Sequence, residues 1–225
     1  MRRFDLAVLL ILVIVSLPTG LKFITQSEYV FEYRIYDAVK KAIELNQEGK
    51  LIHLEIEGYY TRSKQKGKLE GYFLDGISGR LRVLTENETV VSIGGQYAYI
   101  EDFASIKIKM RALDKEEEIF ILKNVENPTE LLEKVKEIRE EEKCDLIYVE
   151  GVIGFEKESS PSEIAELNSK VSWSEGGLGL SLVLYPNGIL ATLEKTSIKG
   201  LEFLSGLSYD RVHVGRCRVH CVKVM

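Results

Sequence analysis

The sequence lacks most of the residues on which enzyme active sites and disulfide-rich folds depend. Its 225 residues include three histidines, three cysteines, four prolines and one tryptophan. Three cysteines are too few for a disulfide scaffold, and an odd number leaves at least one thiol unpaired within the chain. Walker, Gly-x-Ser-x-Gly and His-Glu-x-x-His motifs do not occur. These absences favour a protein without catalytic activity.

The chain also lacks an excess of positive charge. It has 30 Lys and Arg against 35 Asp and Glu, which gives a net charge of −5. A global positive field that would attract nucleic acid or an anionic membrane is therefore missing. The abundance of glutamate and lysine resembles the composition of thermophile surfaces. Hydrophobic residues make up 45% of the chain, which is enough for one or two packed domains.

One long hydrophobic run is present, at the amino terminus. Arg2 and Arg3 precede apolar residues 6–17, and the apolar character continues past Pro18 to Ile24. Residues 4–24 are long enough to cross a hydrocarbon core of about 30 Å. The uninterrupted part also suits the apolar region of a cleaved signal peptide, but a small-x-small cleavage site is missing. We therefore predict a signal anchor over residues 1–25, a single membrane pass, and extracytoplasmic domains behind it, because the basic flank stays inside.

The remaining sequence predicts a mainly β protein with a few helices. Residues 28–48 have apolar positions at helical spacing and end before Gly49, which predicts a juxtamembrane helix within 26–49. From Leu51 the apolar period changes to two, and short strands bounded by Gly, Asp or Asn follow. Asn127-Pro128 predicts the start of a linking helix, residues 127–144. Strands resume at Asp145, with a hairpin over 178–195, a helical stretch at 198–207 and a final strand in the tail.

The two halves echo each other and resemble the OB-fold, a five-stranded Greek-key barrel. The echo lies in Glu57-Gly58 and residues 75–79 of the first half, and in Glu150-Gly151, residues 186–188 and residues 212–215 of the second. The resemblance implies two tandem small barrels, over residues 50–126 and 145–225. It also implies binding of nucleic acid, a glycan or a protein partner along strands 2 and 3 and the flanking loops. Carried onto this chain, that surface comprises Arg62, Lys64, Lys66, Lys68, Tyr72, Arg80 and Arg82. The alternative is that the basic loop is a solvated hairpin serving solubility.

The tail HVGRCRVHC concentrates potential metal ligands. On a helix, His213, Cys217, His220 and Cys221 would share one face and could converge on zinc. On a strand, residues four apart lie about 13 Å from each other, too far for one metal or for a disulfide between the two cysteines. The β-branched residues of the tail favour a strand. A site that combines some of these residues with His53 or Cys144 stays open, as does a disulfide from Cys144 to one of the two tail cysteines.

A single anchor followed by an extracytoplasmic OB barrel is also similar to the haem chaperone of cytochrome c maturation. That family carries a His-x-x-x-Tyr pattern, which this chain lacks at every histidine. We therefore predict a membrane-anchored binding or assembly module without a cofactor, working with a protein partner or as an oligomer. The alternative is a carrier of a transition metal or haem that uses the His/Cys cluster of the tail.

Overall fold

The computed structural model describes residues 27–60, 65–77, 79–94, 103–156, 162, 178–185, 188–207 and 211–225. The predicted membrane segment, residues 4–24, lies outside these ranges. Within them, no helix combines the length and the apolar character needed to cross a bilayer.

The described ranges form twelve strands and three helices, so the prediction of a mainly β protein is confirmed. The strands are β1 (Glu28–Glu32), β2 (Leu51–Tyr60), β3 (Gln65–Ile77), β4 (Arg80–Thr85), β5 (Val90–Gly94), β6 (Phe103–Leu113), β7 (Lys115–Leu122), β8 (Leu146–Phe155), β9 (Leu180–Tyr185), β10 (Gly188–Thr196), β11 (Val212–Val214) and β12 (Cys217–Val224). The helices are α1 (Ile35–Gln47), α2 (Pro128–Glu142) and α3 (Ile198–Ser205).

The first sheet has the order β1-β6-β2-β3-β4-β5, and all its pairs are antiparallel. Helix α1 covers one face, where Ala38 and Ala42 pack with Ile52, Leu54 and Ile56 in a fully buried core. The alternation in β2 that predicted a strand therefore also separates a buried face from a polar one. We call the polar side, which faces away from α1, the outer face of the first sheet.

The helix predicted over residues 28–48 is correct only in its second part. Residues 28–32 form β1, which pairs with β6. Tyr29 and Phe31 alternate with more exposed neighbours, as expected for an edge strand, and both pack against the first core. The chain then turns at Tyr33, whose φ of 57° lies in the left-handed region. The helix begins only at Ile35, and Gly49, at φ 83°, follows its end as predicted.

The second sheet has the order β7-β12-β8-β10-β9, and β11 also pairs with β8. Helices α2 and α3 cover one face and contribute Leu131, Val135 and Leu201 to a second buried core. The predicted cap of α2 is confirmed, since the Asn127 side chain accepts a hydrogen bond of 3.0 Å from the amide of Glu130. The predicted hairpin, helix 198–207 and tail strand are present as β9–β10, α3 and β11–β12.

The same strand arrangement occurs in both sheets. In each sheet, one strand precedes a helix and another follows it, and a strand from later in the chain lies between them. The resulting orders are β1–β6–β2 around α1 and β7–β12–β8 around α2. The pairings support the coarser prediction of β-rich halves, while the OB topology stays a prediction. The domain boundaries also stay a prediction, although β7, inside the predicted range 50–126, pairs with β12 of the second sheet.

A disulfide closes the second unit. Cys144 follows the end of α2 and Cys221 lies on β12, with their Cα atoms 5.2 Å apart. Lys143, at φ 55°, ends the helix in a left-handed conformation and turns the chain toward β12. This pairing is one of those that the sequence left open. The third cysteine, Cys217, is a buried free thiol.

Polar contacts join the two sheets at one junction. Lys195 Nζ donates to the carbonyl of Leu74 at 2.7 Å, and Ser197 Oγ donates to the carbonyl of Glu88 at 2.9 Å. The Glu88 carboxylate also forms an ion pair with Arg139 of α2. Both Glu88 and Lys195 adopt positive φ, 61° and 42°, which is unusual for residues other than glycine. The local backbone is thus shaped around the contact between the sheets.

Candidate functional site

The outer face of the first sheet collects polar side chains from three neighbouring strands. His53 of β2 lies opposite Tyr72 of β3 and Arg111 of β6. Two residues further along β2, on the same face, Glu55 lies opposite Glu70. We call six residues of this surface the His53 face: His53, Glu55, Lys68, Glu70, Tyr72 and Arg111.

Hydrogen bonds and ion pairs connect these side chains into one network. Arg111 Nη2 lies 2.8 Å from Glu55 Oε1 and 3.4 Å from His53 Nδ1. On its other side, His53 Nε2 lies 3.1 Å from Glu70 Oε1. Lys68 Nζ lies between the carboxylates, 3.2 Å from Glu55 Oε2 and 3.7 Å from Glu70 Oε2. The Tyr72 ring meets the His53 ring edge-on, with centroids 5.3 Å apart.

The network fixes the protonation of its members. Burial, followed by the charge of Arg111, lowers the pKa of His53, so its imidazole is neutral near pH 7. Because a guanidinium can only donate, His53 Nδ1 accepts from Arg111 and Nε2 carries the proton that is donated to Glu70. The hydrogen bond from Lys68 lowers the pKa of Glu55, which is therefore ionised. Each group thus presents a defined donor or acceptor to a ligand.

This face contains a potential set of metal ligands, but its cations oppose metal binding. One ligand atom each from His53, Glu55 and Glu70 lie within 4.8 Å of one another. However, the Lys68 ammonium already lies beside both carboxylates, and Arg111 directs the proton of His53 to Nε2. A metal would have to displace the Lys68 ammonium and move the proton of His53 from Nε2 to Nδ1. The arrangement therefore suits a neutral polar ligand better than a metal ion.

The structure brings together two of the residues predicted to bind a ligand. Lys68 and Tyr72 belong to the His53 face, whereas Arg80 is exposed on β4. Arg82 lies at the junction, where it pairs with Asp75 at 3.1 Å and donates to the carbonyl of Glu194 at 3.4 Å. Arg62 and Lys64 lie outside the described residues, and only the backbone of Lys66 is described, in β3.

Sequence reasoning missed the centre of the face. His53 and Glu55 of β2 meet Glu70 of the next strand, β3, and Arg111 of the distant strand β6 only through the register of the sheet. One signal was present, because His53 and Glu55 alternate with buried residues on the polar side of β2.

The four predicted metal ligands of the tail are spread over the second sheet. His213 lies on β11, exposed, 3.0 Å from Glu156. Cys217 is fully buried, and burial raises the pKa of its thiol to about 11. His220 and Cys221 are consecutive in β12 and point to opposite faces, and Cys221 is bonded to Cys144. The extended strand thus separates these residues, as the strand interpretation of the tail predicts.

Comparison with protein families relates the first sheet to a known family model. The family model of the TrmB/TrmBL1, EBD C-terminal subdomain matches residues 29–113. The match runs from β1 to the end of β6 and therefore covers the first sheet with α1, well under half of the chain. No curated protein matches the sequence significantly.

Proposed function

We propose that the protein is a membrane-anchored, extracytoplasmic binding module without catalytic activity, and that the His53 face is its binding surface. The observation that carries the proposal is the connected network of donors and acceptors around the partly buried His53 and Glu55. Groups held in place by their neighbours lose little entropy when they bind a ligand. The family match supports the same sheet, because it covers β1 to β6.

The chemistry of this face favours a glycan over a nucleic acid. Carboxylates, a guanidinium and an imidazole offer both acceptors and donors, which suits hydroxyl groups, and Tyr72 adds an aromatic ring. Across the outer face the charges are nearly balanced, since Glu28, Glu32, Glu55, Glu57 and Glu70 accompany Lys68, Lys107, Lys109 and Arg111. A phosphate backbone needs an excess of cations. We therefore infer a neutral, hydroxyl-rich ligand.

The disulfide supports the proposed location. Bonds such as Cys144–Cys221 persist mainly in oxidising compartments outside the cytoplasm. Intracellular proteins of hyperthermophiles are an exception, and the thermophile-like composition makes that exception relevant. Treatment of intact cells with a protease or with a membrane-impermeant labelling reagent distinguishes the extracytoplasmic from the intracellular location. A chain anchored by residues 4–24 exposes residues 27–225 to the reagent, whereas an intracellular chain is protected.

Two further hypotheses accompany this proposal: that each half is an OB barrel, and that the tail makes the protein a metal or haem carrier. In two OB barrels, the first and last strands of each half would pair with each other. The strand orders of the described residues do not include such a pair. A carrier that uses His213, Cys217, His220 and Cys221 would first have to release Cys221 from its disulfide. We therefore rank the carrier below the binding module.

Binding assays with matched variants test the proposal. The full chain, in a detergent without a sugar headgroup, is screened against a glycan panel and a single-stranded oligonucleotide. We expect glycan binding that weakens at least about tenfold in Glu70→Gln and Arg111→Gln, because each change removes a charged hydrogen-bonding group that would contact the ligand and that orients His53 or Glu55. Glu202→Gln, which removes an exposed ion pair with Lys136, is the control.

The contrary results are equally specific. Salt-dependent binding of the oligonucleotide that survives both variants would move the site to the basic residues near 62–68. Glycan binding equal in all variants would show that the His53 face is not the site.

A further inference from the structure

His220 of β12 has an unusual environment on the outer side of the second sheet, opposite α2 and α3. Its side chain is only 10% exposed. The Tyr148 ring stacks on it, with centroids 4.5 Å apart and planes 11° apart. Two carboxylates flank the imidazole: Glu117 Oε1 lies 2.8 Å from Nδ1, and Glu150 Oε2 lies 3.4 Å from Nε2.

Glu117 determines which nitrogen carries the proton. Besides its contact with His220 Nδ1, the Glu117 carboxylate accepts hydrogen bonds from Lys115 Nζ and, at 3.1 Å, from the hydroxyl of Tyr148. An ionised carboxylate can only accept, so His220 Nδ1 must donate to it. In the neutral imidazole, Nε2 is then a bare lone pair.

That lone pair has no hydrogen-bond partner although it is buried. Glu150 Oε2, which lies 3.4 Å from it, is also an acceptor. Two acceptors that face each other need a cation or a proton between them. Their separation is compatible with a zinc-type ion, because ligands about 2.0–2.2 Å from a tetrahedral Zn²⁺ lie roughly 3.4 Å apart. The observed 3.4 Å equals this value.

We propose that His220 Nε2 and Glu150 Oε2 form a site for a divalent transition-metal ion of the zinc type, with water completing the coordination. Glu117 holds the imidazole through Nδ1–H, which is the usual arrangement behind a metal-bound histidine. Glu150 keeps 34% of its side-chain exposure, which provides the path of entry. The site shares only His220 with the four ligands predicted in the tail, and it does not depend on the proposed glycan function.

The other histidines supply matched controls. His53 Nδ1 faces a guanidinium instead of a carboxylate, so its Nε2 is protonated. His213 is exposed and pairs with Glu156. Neither combines burial, an orienting carboxylate and an unpartnered nitrogen.

The test uses the full chain with its disulfide intact. Zn²⁺ is titrated in competition with a chromophoric chelator, and bound metal is counted by elemental analysis. We expect about one Zn²⁺ per chain, with at least tenfold weaker binding in His220→Gln and Glu150→Gln. Glu117→Gln should weaken binding by about 10–100-fold through loss of orientation. His53→Gln and His213→Gln should bind as the parent does.

A loss of Zn²⁺ affinity in a variant must be distinguished from a loss of its folded structure. Glu150→Gln changes a partly exposed side chain, so its circular dichroism and melting temperature should match the parent even if His220→Gln is unstable. Binding that persists in Glu150→Gln, or that disappears in His53→Gln, would overturn the proposal. A chain that binds no Zn²⁺ would also overturn it, and protons on both nitrogens of His220 at pH 7.5 by ¹⁵N NMR would then show that a proton fills the gap.

Discussion

Removing the Cys144–Cys221 disulfide should destabilise the second unit far more than removing the free thiol. The bond joins residues 77 apart in sequence. The chain-entropy relation for a loop of about 77 residues gives roughly 15 cal/mol/K, or about 4.5 kcal/mol at 25 °C. A stabilisation of this size is a large part of the stability of an ordinary domain. We therefore expect Cys144→Ala/Cys221→Ala to lose about 4 kcal/mol.

The assay is guanidinium unfolding followed by circular dichroism, with and without a reductant. The parent should lose stability on reduction, whereas the double variant should not respond. Cys217→Ala is the control, because it removes a fully buried sulfur from the same core without opening a cross-link. Its loss should be about 1 kcal/mol and its response to reductant should be that of the parent. A double variant that loses less than about 1.5 kcal/mol, or a parent insensitive to reduction, would refute the entropy argument.

Three further predictions concern single side chains. The pKa of Glu117 is lowered to about 2 from 4.5, so its contribution to the free energy of unfolding is present above pH 4.5 and is lost as the pH falls toward 2. In urea unfolding at each pH, the parent should lose at most about 3 kcal/mol across that range. Glu117→Gln should flatten this pH profile, whereas the exposed control Glu116→Gln should not. Asn127→Ala should cost about 1 kcal/mol by the same assay, because the cap of α2 is lost. Gly151→Ala should cost about 1–3 kcal/mol, since its Cβ would overlap the Cys217 sulfur, and Cys217→Ala in the same chain should restore part of that loss.

Local features of the fold could be predicted because each rests on neighbouring residues. The cap at Asn127, the alternation around Ile52 and Leu54, and the antiparallel pairing of β9 with β10 all have signals within a few residues. Residues 28–32 were assigned to a helix because five alternating residues directly precede a true amphipathic helix. Only pairing with β6, about eighty residues away, distinguishes them as a strand.

The candidate sites were harder to predict for the same reason. Lys68 and Tyr72 were found because they belong to a basic, aromatic stretch of sequence. Their partner Arg111 enters through the register of β2 with β6, which composition does not encode. At His220 the sequence indicated a metal ligand, but with Cys217 and Cys221 as partners. The strand directs Cys221 to the opposite face, and cross-strand neighbours supply Glu117 and Glu150 instead.

The two sites combine the same kinds of side chain on different strands of the repeated arrangement. In the first sheet, His53 lies on the central strands β6–β2–β3, with a tyrosine against its ring and carboxylates nearby. In the second, His220 lies on β12, the counterpart of β6 in the repeated arrangement, again with a tyrosine against its ring and carboxylates at both nitrogens. The difference is the group at Nδ1, an arginine in the first and a glutamate in the second. Because that group decides which nitrogen keeps its proton, similar surroundings leave a proton donor at His53 and a free lone pair at His220. The two faces are therefore expected to bind different partners: hydroxyl groups on the first and a metal ion on the second.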